Sequence, residues 1–397
     1  MPTNTHQSVD GPVHPGTPIM GSADILTFGP DNALIVADTA SGTIHTFHVA
    51  TAGNGAPPET FNLKAADERV AEALAVSLRQ LRINDMAIHP LTRQVFLAVT
   101  RGTGAEARGM IVAIDGEGVV QLPALTSLGQ HQLNRLPDSA RTTLSARPLA
   151  TMVITTLGYH EGKLYVSGVN STDFSSTLHQ IAYPFTGMAT ESRIEIYHAV
   201  HDQNETRAPI RAQTIVGEGD DAVMIAAYTC TPIVTIPLRE LTDGAQVRGK
   251  TIADVGYGNT PVGILSFKAL NQQYQLEEMI LVVNKQRSAQ IFSKAQMLAA
   301  DALGSHAMDP SGLVSRSLPL SGIVQIKEYS DTQLLALRRD AETGSLDLLS
   351  FGKGWYFRIS DHFAEYEMPG FAWPADGSQE QMRQAQVQFM RQEGYGV

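Results

Sequence analysis

Pro30-Asp31-Asn32, Leu34-Ile35-Val36-Ala37-Asp38 and Thr43-Ile44-His45-Thr46-Phe47-His48-Val49, following Ile25–Phe28, form the stretch that decides the fold. Pro, Asp and Asn favour a tight turn, because Pro fixes φ and the short polar side chains bond the neighbouring backbone. The runs on either side are short, rich in β-branched and aromatic residues, and bounded by turn formers. That is the pattern of half-buried strands. Ala23–Val49 therefore reads as an antiparallel meander of three strands.

Working outward, the same unit recurs. Met86–His89, Val95–Val99 and Met110–Ile114 form the second copy, and Leu157–Tyr159, Leu164–Val169 and Thr177–Ala182 the third. Ile210–Val216, Ala222–Tyr228 and Ile233–Pro237 form the fourth, followed by Val262–Lys268, Met279–Val283 and Ala289–Phe292. Ile323–Tyr329, Gln333–Leu337 and Leu346–Phe351 complete the series. Val119–Leu122, Arg193–Tyr197, Thr251–Val255 and Trp355–Ile359 are candidate fourth, outer strands. Four-stranded units with a long period predict radial repetition, which protects strand edges. The expected fold is all-β, a six-bladed β-propeller, with seven blades as the alternative if the termini assemble another.

The predicted organisation is an N-terminal extension over 1–22, a single propeller over 23–363 and a C-terminal tail with a helix over 364–397. A helical insert is expected at 65–81, where Val70, Leu74, Leu78 and Leu81 recur at helical spacing. An irregular insert is expected at 124–150 and a second helical one at 294–303.

Composition narrows the function. The chain has 397 residues, 43% hydrophobic and 17% charged, with a formal net charge of -11. That balance argues against nucleic acid or an acidic membrane as partner, since phosphate contacts need clustered Lys and Arg. The single cysteine, Cys230, excludes an intrachain disulfide and a zinc site built from several cysteines. No stretch has the apolar length of a signal peptide or a transmembrane helix. The expectation is a soluble protein, cytoplasmic as written, with a periplasmic or secreted location left open if a signal has been removed. The sequence does not fix the oligomeric state.

Pro30-Asp31 with Leu34–Asp38, Ile44 and Phe47 resembles the repeat of NHL-type propellers. Arg82-Ile83-Asn84-Asp85 followed by Pro90 is similar to the segment before an inner strand in the senescence-marker/gluconolactonase-like group. The resemblance implies six blades and one divalent cation at the channel mouth, held by a Glu, Asn residues and an Asp. Asn84 and Asp85 are the positions it carries over, while blade one has Asp24 where the group has Glu.

In such a fold the residues that begin each inner strand share a face with the loops joining second to third strands. This nominates Asp24, Asn84, Asp85, Glu205, Arg207 and Asn259 from strand starts. The loops add Arg101, Asn170, Cys230 next to Tyr228, Asn284, Lys285 and Arg338. Carboxylates, amides and guanidinium groups together suit a small polar or anionic molecule. The densest cluster is His198, His201, Glu205 and Arg207; two imidazoles and one carboxylate can hold a metal with open positions for water. The plainer reading pairs Glu205 with Arg207 or Arg211 and lets the histidines pack. Cys230 is either a soft ligand or nucleophile beside those histidines, or a small buried hydrophobe.

The function expected from these residues is small-molecule binding with metal-assisted, lactonase-like hydrolysis at the channel mouth. A divalent cation (Ca, Zn, Fe or Cu, not distinguished) held by some of Asn84, Asp85, His198, His201 and Glu205 would polarise a carbonyl and acidify a bound water. His198 and His201 would serve the chemistry, and Arg101 or Arg207 would steady the developing charge. Asp24, Asn170, Tyr228, Cys230, Asn259, Asn284, Lys285 and Arg338 would contact the ligand. Two alternatives stand beside it: a non-catalytic propeller binding a ligand or protein, and a copper or iron redox site built from Cys230 and the histidines.

Overall fold

Alternating burial along short apolar runs drives strands to pair and stack, and here it yields six sheets of four or more strands. The computed structural model describes residues 20–50, 57–133, 143–144, 147–170, 174–256, 259–270, 275–285, 287–318, 320–353 and 384. The chain is a six-bladed β-propeller. Blade one has Ile25–Phe28, Leu34–Asp38 and Thr43–Val49 from inside outward, and blade two has Leu81–Ile88, Val95–Arg101, Arg108–Ile114 and Val120–Gln121. Blade three has Thr156–His160, Lys163–Val169, Ser176–Ala182 and Thr190–His198, and blade four has Ile210–Val216, Val223–Tyr228, Pro232–Pro237 and Lys250–Asp254. Blade five has Pro261–Leu270, Leu276–Asn284, Ala289–Ser293 and Arg316–Leu318, and blade six has Ile323–Glu328, Gln333–Arg339 and Leu346–Gly352.

Two outer strands come from unexpected places. Leu125–Gln132 pairs antiparallel with Thr43–Val49 and completes blade one, so the first part of the 124–150 insert is not irregular. Its Thr126, Ser127, Gln130 and Gln132 are the polar residues that suit a solvent-facing edge, which is why it lacks an apolar strand pattern. Blade six is completed by Asn62–Leu63, paired with Leu348 and Leu349. The expected strand Trp355–Ile359 and the expected C-terminal helix lie outside the described residues, apart from Gln384.

Blade order around the ring differs from chain order. Core clusters join Leu34, Val36 and Phe47 of blade one to Phe96, Ala98 and Ile111 of blade two. On its other side blade one meets blade three, through Ile35, Ala37 and Ile44 against Leu157, Leu164 and Ile181. Blade two packs on blade six through Leu97, Val99 and Val112 against Leu335, Leu337 and Leu348. The remaining clusters join three to four, four to five and five to six. The ring therefore runs two, one, three, four, five, six. The chain leaves blade one unfinished, closes blade six, builds blade two, and returns to finish blade one before entering blade three.

The closure is fastened by the segment between those steps. Phe61 N donates to Ser350 Oγ at 2.9 Å, and Asp347 accepts from Ala65 N at 2.8 Å and Lys64 Nζ at 2.7 Å. Of the helix expected over 65–81 only Ala66–Ala73 forms, burying Val70, with Leu74 just after it, against blades two and six; Leu78 lies in a separate short turn and Leu81 begins the first strand of blade two. The second expected helix forms as Lys294–Ala299, capped by the Ser293 hydroxyl. Among the described residues no helix is long and apolar enough to cross a membrane.

Candidate metal centre

Strand Thr190–His198 alternates so that Ile194, Ile196 and His198 share the buried side, and His198 is 1% exposed. A single turn, Ala199–His201, follows, and Asp202 at φ 50° reverses the chain. Asp tolerates this left-handed conformation better than most residues. Gln203–Glu205 then runs back along the strand, with Gln203 opposite His198 and Glu205 opposite Ile196. Directly paired residues lie on one face, so this register puts the Glu205 carboxylate on the same side as the His198 ring.

The carboxylate meets both imidazoles. Glu205 Oε1 lies 3.0 Å from His198 Nδ1 and 2.5 Å from His201 Nδ1. The two rings sit 4.1 Å apart, tilted by 52°. On its far side His198 Nε2 is 3.2 Å from the hydroxyl of buried Thr231.

Cys230 reaches the same place from the next blade. It is the middle residue of the turn between Val223–Tyr228 and Pro232–Pro237, anchored by Thr229 N to Pro209 O at 3.1 Å and Val255 N to Thr231 O at 3.1 Å. Its φ is 84°, left-handed for a residue carrying a Cβ. Such a conformation persists only where the surroundings enforce it, and residues in it cluster at functional sites. One ligating atom from each of His198, His201 and Cys230 lies within 4.8 Å of the other two. Donors sharing one ion at bonds of about 2.0–2.3 Å sit roughly 3.3–3.8 Å apart, a spacing these atoms would have to reach to share one.

The charges are coupled. Burial disfavours protonated His198, but hydrogen bonds to Cys230 and Glu205 and their negative charge outweigh it, and the pKa is pushed up to about 9. Burial likewise disfavours ionised Glu205, yet the bonds from His198 and His201 bring its pKa down to about 2. A carboxylate on the Nδ1 of each imidazole fixes ring orientation; the other nitrogen of His198 meets the Thr231 hydroxyl, a contact that a metal bound there would have to displace. Glu205 thus contacts both rings, and Cys230 lies beside them from the next blade.

The other expected residues lie elsewhere. Blade two adjoins blades one and six, so Asn84 and Asp85 do not meet the histidines between blades three and four. Asn84 Nδ2 donates to Ala23 O at 2.6 Å and Thr100 Oγ1 at 2.9 Å, and its Oδ1 accepts from Arg82 at 2.6 Å. Buried Asp85 accepts from Leu26 N at 2.9 Å and Met86 N at 2.8 Å, with Lys327 at 3.6 Å. Both residues tie blade two to its neighbours.

Asp24 accepts from Thr39 N at 3.1 Å and from the Ser22 and Thr39 hydroxyls, closing a turn. Arg101 donates to Leu74 O at the end of the first helix, away from the histidines, and Tyr228 is fully buried in the core between blades three and four. Asn170 donates to Glu191 and Arg338 to Ser321 O, Lys285 is exposed, and Asn259 and Asn284 are buried on blade five's side. Arg207 is exposed two residues beyond Glu205. Thr231, against His198, had no signal in the sequence beyond its proximity to Cys230.

Compared with known proteins, the chain matches no family model and no curated protein. Its shape is similar to that of Drosophila Semaphorin 1b extracellular domains 1-2, at 10% identity over 87% of this chain and 86% of that one, with a TM-score of 0.37. It is also similar to the Pseudomonas aeruginosa periplasmic gluconolactonase, at 11% identity over 84% and 86%, with a TM-score of 0.32. For the PQQ-bound aldose sugar dehydrogenase of Streptomyces coelicolor the values are 12%, 84%, 95% and 0.31. At this level the likenesses assign no residue a role.

Proposed function

We propose that the junction of blades three and four binds a transition metal through His198, His201 and Cys230, with Glu205 orienting both imidazoles, and that the centre carries hydrolytic chemistry on a small polar or anionic molecule. The carrying observation is the convergence of three nitrogen and sulfur donors within 4.8 Å. A thiolate with two imidazoles suits zinc, copper or iron, whereas calcium demands oxygen ligands. The His201 side chain is 47% exposed, so the centre has a solvent side on which water can complete the coordination. An ion held there would lower the pKa of a bound water, which is chemistry that suits hydrolysis.

The test is metal content by inductively coupled plasma mass spectrometry after loading with Zn²⁺, Cu²⁺, Fe²⁺ or Ca²⁺ and desalting. Near-stoichiometric retention of a transition metal is expected in wild type and in Asn84→Ala, with loss in Cys230→Ser and His201→Ala. Metal retained by Cys230→Ser but lost from Asn84→Ala would overturn the assignment and restore the channel-mouth cation.

A second reading rests on its own observation: His198 contacts both Cys230 and Glu205, and Cys230 sits on a left-handed turn. This is the order nucleophile, base, orienting carboxylate. If no metal binds, alkylation of Cys230 by iodoacetamide that slows in Glu205→Gln would favour this reading.

A further inference from the structure

The two halves of the candidate centre come from different blades, so the fold must set the distance between them. His198 and His201 end blade three, while Cys230 lies in the turn between the second and third strands of blade four. One strand is bonded to both halves. Lys250–Asp254, the outer strand of blade four, pairs antiparallel with Pro232–Pro237. Near its start the hydroxyl of buried Thr251 donates to Tyr197 O at 2.7 Å, one residue before His198. Just past its end Val255 N donates to Thr231 O at 3.1 Å, one residue after Cys230. Paired backbone has a fixed rise, so the stretch from 251 to 255 is a spacer between the imidazoles and the thiol.

A second segment braces that spacer. It joins the third and fourth strands of blade five, and it leaves helix Lys294–Ala299 along the outer edge of blade four. Ala300 O accepts from Lys250 Nζ at 2.9 Å, and Leu303 N donates to Thr251 O at 2.7 Å. The chain then crosses to blade three, where Ala307 N donates to Ala199 O at 3.2 Å. It returns to pair Ser311 with Asp254 and Gly312 with Ala253. Gly312, at φ 81°, permits this close return, because a Cβ there would collide with the Ile252 carbonyl oxygen. His198 is therefore bracketed. The carbonyl before it is held by Thr251, and the carbonyl after it by the segment that also grips Thr251. Asp202 N, 3.2 Å from Ala199 O, closes the turn from within and adds no tie to blade four.

We infer that Thr251 is a positioning residue of the metal centre: its bond to Tyr197, braced by the segment from Leu303 to Gly312, sets the separation of the histidines from Cys230. This rests on the reading of His198, His201 and Cys230 as one centre. Their donor atoms lie within 4.8 Å of one another and must come closer to share an ion, so whatever sets that separation governs the affinity. Thr251 acts through the Tyr197 carbonyl and is not itself a ligand.

The test follows the full chain with Co²⁺, whose thiolate-to-metal absorption reports the bond to Cys230, and follows alkylation of Cys230 by iodoacetamide without metal. Thr251→Val keeps the shape and removes the donor, whereas Thr251→Ser keeps the donor. Thr251→Val should weaken Co²⁺ binding about tenfold and diminish the thiolate band, and Thr251→Ser should restore both. In metal-free protein Thr251→Val should slow alkylation, since a thiol loses its base when the imidazole moves away. Ala307→Pro removes the donor to Ala199 and should act in the same direction, with Ala307→Gly close to wild type. That pair carries both measurements if Thr251→Val does not fold. A bond that serves only stability would lower the urea midpoint in Thr251→Val and leave band, affinity and alkylation at wild-type values, and this result overturns the inference. If wild type binds no Co²⁺ but alkylation still slows in Thr251→Val and recovers in Thr251→Ser, the metal reading fails and the positioning role stands.

Discussion

Asn84–Asp85 and His198–Glu205 look alike in the chain, since both are polar clusters just ahead of a propeller strand or at its start. In the fold they do opposite work. The acceptors and donors of Asn84 and Asp85 engage the backbone of Ala23, Leu26 and Met86 and the side chains of Arg82, Thr100 and Lys327. Around Glu205 the side chains turn to one another, and a cysteine from the next blade is held close in a strained turn. A polar group satisfied by backbone cements blades together. A group satisfied mainly by other side chains keeps chemistry available.

The largest expected effect lies on the structural side. Asp85→Ala leaves the buried amides of Leu26 and Met86 without their carboxylate, and each unsatisfied buried donor costs about 1–3 kcal/mol. Unfolding free energy should fall by roughly 2–5 kcal/mol in denaturant titration. Metal retention by the surviving folded fraction should be unchanged. A stable Asp85→Ala protein that has lost metal would erase the distinction between the two regions.

The pH dependence sharpens the comparison from the other side. His198 has a pKa raised to about 9, so its contribution to stability is complete below the ordinary value of 6.5 and disappears as pH rises through about 9. Glu205, lowered to about 2, contributes above 4.5 and loses that contribution as pH falls through about 2. The metal-free protein should therefore be most stabilised by this pair between pH 4.5 and 6.5. The rise at His198 comes from Cys230 as well as from Glu205, so the loss towards pH 9, on the order of 2 kcal/mol, belongs only in part to the Glu205 pair. Metal affinity should run the opposite way, rising with pH because the ion displaces the His198 proton. Urea midpoints of chelated protein across this range, with Glu205→Gln as control, test both. A slope of full size in Glu205→Gln would mean the pair is not its source.

How much of this was legible beforehand follows from what each signal depends on. Leu34–Asp38 and Thr43–Val49 announced themselves because strand periodicity is local, and so did the helix around Val70. Leu125–Gln132 did not, since an edge strand on a solvated rim needs no apolar alternation. The exchange of blades one and two around the ring rests on contacts such as Leu26 with Asp85, and no local pattern encodes these. For the same reason the His198, His201 and Glu205 cluster was visible as a run of residues while its roles were not. Whether Glu205 ligates or orients depends on the hairpin register, and Cys230 joins only because blade four follows blade three in space.

The smallest expected effect is the most discriminating. At φ 84° a side chain costs about 1–2 kcal/mol relative to glycine, while glycine loses roughly 0.5–1 kcal/mol through the freer unfolded chain. Cys230→Gly should therefore raise stability slightly, by about 0.5–1 kcal/mol, and abolish metal retention. Cys230→Ala keeps the strain and removes the sulfur, so it should lose metal without gaining stability. A turn built only for packing would behave differently: both variants would destabilise in proportion to the atoms removed, and neither would change metal content. Measured together by thermal unfolding and metal analysis, the pair of substitutions asks whether the strain at residue 230 is held in place for the thiol. A more stable glycine variant that no longer holds metal means that it is, whereas a less stable one that still does would move Cys230 from the chemistry into the core.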